Sequence, residues 1–136
     1  MKGLCSHKMN GIEHKQWQLE VIQQTNPAPE ANYTWIRTID DVLTFEEALQ
    51  DSDWCGWEHG NFDPDYSGAD AKTALHTGII TVYSSHHIKP GVFVTPSKME
   101  ALSYSGNGWV DQMHVCITDI AWIDPTQGQY TGPMPE

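Results

Sequence analysis

A chain of 136 residues, 39% of them apolar and including six Trp and five Tyr, holds enough material for one compact core but is too short for two ordinary domains. Seven Lys and Arg against 18 Asp and Glu give a formal charge of -11, a field that repels phosphate backbones and anionic lipid and argues against direct nucleic-acid or membrane-surface binding. No run approaches the ~18 apolar residues of a membrane span, the first residues lack the apolar centre of a secretory signal, and the odd count of scattered cysteines (Cys5, Cys55, Cys116) fits a reducing compartment, so the expectation is a soluble cytoplasmic protein.

In chain order, Trp17, Leu19 and Val21 alternate with polar neighbours, the period of a half-buried strand. After the break at Asn26-Pro27-Ala28-Pro29, Tyr33 through Ile39 reads as its partner, so residues 16–39 are expected to form a strand pair. Thr44 followed by Glu47 is a capping box, and Phe45, Ala48 and Leu49 supply one apolar face, which predicts a short helix over 45–51. Residues 52–70, rich in Gly, Asp, Pro and Trp, read as an ordered loop.

The second half has clearer grammar. Ile79 to Tyr83 is a β-branched strand, Ile88-Lys89-Pro90-Gly91 a turn, and Val92 to Thr95 a second strand. Ser97 with Glu100 predicts a helix through Met99, Ala101, Leu102 and Tyr104 that stops at Gly106. Val110 to Ile123 carries apolar positions for one long or two short strands, Gln127-Gly128-Gln129-Tyr130 reads as the last, and residues 131–136 as a loose tail.

Charge is concentrated. Between Arg37 and Lys72 lie ten acids and no Lys or Arg, so residues 40–70 form an acidic helix and loop. Such a face, with Trp54 and Trp57 as anchors, suits a non-enzymatic protein, of bacteriophage origin in one version, that blocks a basic nucleic-acid-binding surface of a host protein. Cys5, His7, Cys55 and His59, with His14 as a spare, are zinc-ligand types, but structural zinc sites pair their ligands more tightly. Asp63-x-Asp65-x-Ser67-Gly68 resembles the start of a calcium loop whose twelfth position is Ala74 rather than a carboxylate. His86 and His87, as neighbours, cannot face one metal from a strand. No metal is expected. A Gly-x-Ser-x-Gly elbow and a Gly-rich phosphate loop are both missing.

The run Gly91-Val92-Phe93-Val94-Thr95-Pro96-Ser97, followed by Ala101-x-x-Tyr104, set between the strand ending Val82-Tyr83-Ser84 and the late Gln127-Gly128-Gln129-Tyr130, resembles the core of mono-ADP-ribosyltransferase-like domains, including divergent bacteriophage ones. The resemblance spans residues 79–130. Length, charge and the order of elements give one α+β domain over 1–136 with a mostly antiparallel sheet, two short helices and a long acidic insertion; the resemblance makes its core ADP-ribosyltransferase-like and implies NAD as cofactor and a protein acceptor. On it, Tyr83, Ser84, Thr95, Ser97 and Tyr104 would bind the cofactor, and Gln127 and Gln129 would orient the acceptor. Ser84 stands where the family has Arg or His, and Gln129 where it has the catalytic Glu, so the implied centre is degenerate. An amide can orient an acceptor, but it cannot balance the positive charge that develops as the nicotinamide bond breaks.

Overall fold

The computed structural model describes residues 11–25, 36–50 and 66–133. Among these, α1 (Gly11–Thr25), α2 (Phe45–Leu49), α3 (Gly68–Thr77) and α4 (Lys98–Tyr104) accompany β1 (Ile79–Ser84), β2 (Phe93–Val94), β3 (Asp111–Cys116), β4 (Ile120–Asp124) and β5 (Gln127–Tyr130). The class is α+β with antiparallel pairing throughout.

The first expectation to fall is the strand pair. Residues 16–25 are helical, and Ile39–Asp41 is a turn of 3-10 helix rather than a partner strand. Gln18 and Ile22, four apart, are the buried positions of α1, with Leu19 packed beside them. Because one of the inward residues is a glutamine, the helical stripe is invisible to an apolar count, and the accidental alternation of Trp17, Leu19 and Val21 stands out instead. Gln18 is satisfied inside: its Nε2 donates to the Thr131 hydroxyl at 3.1 Å and to the Thr118 carbonyl at 3.3 Å.

α2 forms where the capping box lies. The Thr44 hydroxyl accepts from Glu47 N at 3.1 Å and the Glu47 carboxylate accepts from Thr44 N at 3.0 Å, so two orphan donors are met reciprocally. Helix α3 replaces part of the expected loop: Ser67 to Asp70, of which Ser67 and Gly68 close the cation-loop pattern, is its amino-terminal capping box. Ser67 Oγ accepts from Asp70 N at 3.3 Å, and Asp70 accepts from Ser67 N at 2.9 Å. The helix ends at Gly78, whose φ of 78° is in the left-handed region that closes a helix without a Cβ clash.

The strand assignments of the second half hold, with the 110–123 run divided into β3 and β4 by a 3-10 turn at Ile117–Asp119. β1 pairs with β3, and β2, β5 and β4 form a second ladder in that order. The ladders meet where Tyr83 and Thr95 bridge, and Leu43 bridges to Trp122 at the far edge. The spatial order is therefore β3-β1-β2-β5-β4. One face, carrying Ile80, Val82, Val94, Ile120 and Trp122, packs against α2 and α3 through residues such as Phe45, Leu49 and Ala74. On the other side α1 covers β4, with Ile22 against Ala121 and Ile123. Burying side chains of this size contributes on the order of 1.5–3 kcal/mol each; the main cluster draws on all five strands, and the smaller one closes over β4.

The tail is not loose at its start. Thr131 is buried, donating from its N and its hydroxyl to the Asp119 carbonyl at 2.7 and 3.0 Å, and the Tyr130 hydroxyl reaches the Pro133 carbonyl at 2.8 Å. Cys116 is disulfide-bonded, which departs from the plain buried thiol expected in that strand. Cys5, His7, Cys55, His59, Trp54, Trp57, Asp63 and Asp65 lie outside the described residues. Among the described residues no group of three or more His, Cys, Asp or Glu could hold a metal ion, and no helix is long and apolar enough to cross a membrane.

Candidate functional site

The strands that carry the sequence-derived residues are neighbours in space. Tyr83 N donates to the Thr95 carbonyl at 2.7 Å, Thr95 N to the Tyr83 carbonyl at 3.0 Å, and Phe93 stands opposite Gln129 in the β2–β5 register. Residues directly opposite in antiparallel strands share a face, and residues two apart in one strand do as well. Tyr83, Thr95, Phe93 and Gln129 therefore lie on one face, and alternation adds Gln127.

Ser84 does not join them. It falls in step with Ile80 and Val82, on the face that builds the main core, and its Oγ accepts the His86 N–H at 3.1 Å. The one-residue offset within β1 decides this, because successive side chains point to opposite sides. Ser97 lies beyond β2: its N–H donates to Thr95 Oγ1 at 3.1 Å, and its own Oγ accepts from Glu100 N at 3.1 Å, capping α4. The Glu100 carboxylate accepts the Tyr104 hydroxyl at 2.9 Å.

Gln129 is 6% exposed, and its Nε2 donates to the Gly91 carbonyl at 3.0 Å. Gly91 is itself closed in: a Cβ there would collide with the Thr25 hydroxyl at the end of α1. The amide is thus held against the turn before β2, in the place that the resemblance gives to a carboxylate. Gln127 Nε2 reaches Asp124 Oδ2 at 3.4 Å, while its amide oxygen is buried with no hydrogen-bond partner.

Two residues of this neighbourhood were missed. Phe93, two positions before Thr95, meets Tyr104 edge to face with ring centroids 5.7 Å apart at 82°. Strand alternation alone would have put it on the Thr95 face. Glu100, taken only as a cap, fixes the Tyr104 hydroxyl. The two tyrosines border different hollows. Tyr83 lines one of about 300 Å³ with Tyr66, Asp70, Thr73 and Pro96, and Tyr104 lines an open groove of about 280 Å³ with Ser85, His86 and Trp109. At the first hollow, burial pushes the Tyr66 phenol well above its ordinary range, with Asp70 and Asp124 adding to the effect. On the core side, burial and then the Asp119 carboxylate push Tyr130 up to about 12.

Chemically, the shared face offers hydroxyl, amide and aromatic groups. Thr95 is fully buried with its hydroxyl taken by Ser97 N, Gln129 is held on Gly91, and neither is among the lining residues of the two hollows; the described members Tyr83, Phe93, Thr95, Gln127 and Gln129 include no formal charge to stabilise a cationic transition state. Searches of family models, curated proteins and solved structures find no match to this chain.

Proposed function

We propose that the chain is a divergent NAD-binding protein of ADP-ribosyltransferase-like type whose catalytic centre is degenerate. The observation that supports it is the adjacency of β1, β2 and β5. The separated motifs of the resemblance meet around one central strand, with Thr95 and Gln129 on one face and Phe93 between them in register. Nicotinamide, a flat ring bearing an amide, matches the Phe93–Tyr104 aromatic pair and the Gln129 side chain. The fit to the rest of a dinucleotide is partial, because neither hollow has a Lys or Arg among its described lining residues to meet the pyrophosphate.

In this reading Thr95 and Ser97 support the cofactor site from within, Tyr104 meets the nicotinamide ring while Tyr83 borders the separate hollow beside Tyr66, and Gln127 and Gln129 orient an acceptor such as a protein side chain. Ser84 contributes by turning the chain into His86. Loss of a charged catalytic group costs on the order of a thousandfold in rate, so binding is expected to outlast turnover. Calorimetric titration with NAD, paired with an assay for released nicotinamide, tests both parts. Binding without release supports the reading, and absence of binding overturns it.

The acidic-blocker alternative draws on residues 40–70. Of the acids described there, Asp41, Glu47 and Asp70 are committed to amino-terminal caps, Asp41 accepting from Arg37 N and Thr38 N at 2.9 and 3.0 Å. That use favours a structural role for them over a presented charge.

A cytoplasmic location goes with the nucleotide-binding reading, and Cys116 supplies its test. Disulfides persist in oxidising compartments. Rapid alkylation during denaturing lysis of the native cells should label all three cysteines if the compartment is reducing and leave Cys116 and its disulfide partner unlabelled if it is not.

A further inference from the structure

The open groove bordered by Tyr104 and Trp109 has no Asp, Glu, Lys or Arg among its described lining residues. Ile12, Met99, Tyr104 and Trp109 are the exposed large hydrophobics among the described residues, and the two aromatic ones, Tyr104 at 40% and Trp109 at 43%, both border this groove. Between them lie Ser85, His86, Ser105, Gly106 and Asn107, so hydroxyl, amide and imidazole groups alternate with the rings and neither carboxylate nor ammonium is among them.

The groove is also braced. Asn107 Oδ1 accepts from the Ser105 hydroxyl at 3.1 Å and from Trp109 N at 3.0 Å, which pins the turn that carries the indole. That use of the oxygen leaves the Asn107 NH2 as the donor for a ligand. His87 packs against Trp109 with centroids 4.9 Å apart at 65°, and Glu100 fixes Tyr104 from α4. On the loop side, Asp111 accepts from Ile88 N at 2.8 Å and so ties the β1–β2 connection that bears Ser85 and His86. Both walls are thus held by side-chain bonds, which lowers the ordering cost of binding.

From these features we infer that the groove is a binding site for a neutral saccharide ring. An aromatic face gains from covering the apolar C–H side of a pyranose, and neutral donors and acceptors match hydroxyls, which are both at once. A phosphate or carboxylate finds no counter-charge here, and the chain's net charge of -11 opposes it further. The volume of about 280 Å³ and the open rim suit a single ring or the end of a longer glycan. The groove shares Tyr104 with the Phe93–Tyr104 pair proposed to meet nicotinamide, while Ser105, Asn107 and Trp109 belong to it alone, and its saccharide chemistry does not require NAD.

The test uses the full chain, labelled with 15N, titrated with methyl glucosides, galactosides, mannosides and N-acetylglucosaminides. Adenosine and glucose 6-phosphate serve as comparators, and the Trp109 indole N–H is followed. At least one neutral glycoside should move that resonance with a dissociation constant on the order of millimolar. Trp109→Ala should weaken it about tenfold, while the phosphorylated sugar binds several-fold more weakly than its neutral parent. Trp109→Phe, which keeps a ring, retains most of the affinity and covers the case in which the alanine variant does not fold. No shift with any glycoside, or a stronger response to adenosine than to every sugar, overturns the proposal. NAD titration of Trp109→Ala separates the two readings, because nucleotide binding at the Gln129 face should survive the substitution.

Discussion

The acidic helices near the amino-terminal half and the polar core of the sheet solve the same problem, unpaired backbone donors and acceptors, in opposite solvents. At the surface, Asp41, Glu47 and Asp70 close helix starts with charged side chains that water keeps affordable. Inside, Gln18, Thr95, Ser97, Gln129 and Thr131 do it with neutral groups, each buried and each bonded to backbone or to another side chain. The lesson concerns position 129. A carboxylate in that setting faces a desolvation cost that an amide avoids, and the amide gains a bond to Gly91 that a carboxylate could not donate.

Four substitutions probe this division, taken from the largest expected effect. Trp122 is fully buried, packs against Phe45 with ring centroids 4.6 Å apart and planes tilted by 43°, and donates from its indole to the Ile117 carbonyl at 3.0 Å. Trp122→Ala should cost about 3–5 kcal/mol, read as a lowered urea midpoint. If the cost were that of a surface residue, the arrangement of the main core would be wrong.

Gln129→Glu comes next and bears most directly on the comparison. At neutral pH the carboxylate would oppose the Gly91 carbonyl, and a loss of about 1–3 kcal/mol is expected. Burial raises a carboxyl pKa in the folded state, so the variant binds its proton more readily folded than unfolded. Its stability relative to the parent should therefore recover as pH is lowered toward the acid range. A deficit that does not vary with pH would mean that the side chain had swung into solvent.

Ser67→Ala removes the hydroxyl that accepts from Asp70 N, with a cost of about 1 kcal/mol at the start of α3. Hydrogen exchange of the first-turn amides of α3 is the local readout, and unchanged protection there would dispute the cap. Smallest is the tie between α1 and α2. Lys15 Nζ lies 2.7 Å from Glu47 Oε1 with the Glu47 side chain half exposed, so Lys15→Met should cost at most ~1 kcal/mol and less in high salt.

The hydrogen bond from Lys15, followed by that from Thr44 N, holds the Glu47 carboxyl below its usual 4.5. The folded state therefore favours the ionised form. This contribution is complete above the unfolded value and is lost as pH falls through the depressed folded one. Denaturant midpoints for the parent and Lys15→Met should converge as the solution is acidified below about 4, and parallel curves would contradict the pairing.

Local rules made α2 and the second half legible. β-branched density marked β1, Thr44–Glu47 marked α2, Ser97 marked α4, and Gln127–Tyr130 emerged as the closing strand. The same rules failed at α1 because the inward face is built around Gln18, whose partners Thr118 and Thr131 lie about a hundred residues away in sequence. They failed at α3 because Ser67 and Gly68 fell within the Asp63-x-Asp65-x-Ser67-Gly68 pattern and the Ser67–Asp70 capping box was not recognised. For the candidate site, residue identities were readable but their grouping was not. Ser84 and Tyr83 are adjacent in the chain and lie on opposite faces, while Phe93, passed over, lies with Gln129.

Amino-acid order alone determined the α+β class, the sites of several helix starts and the neutral character of positions 84 and 129, since these depend on residue type and on neighbours within a few positions. Tertiary structure decided which polar side chains could be buried and which face each one joined. Those outcomes depend on pairing between distant strands and on donors and acceptors that the chain supplies only after it has folded back on itself.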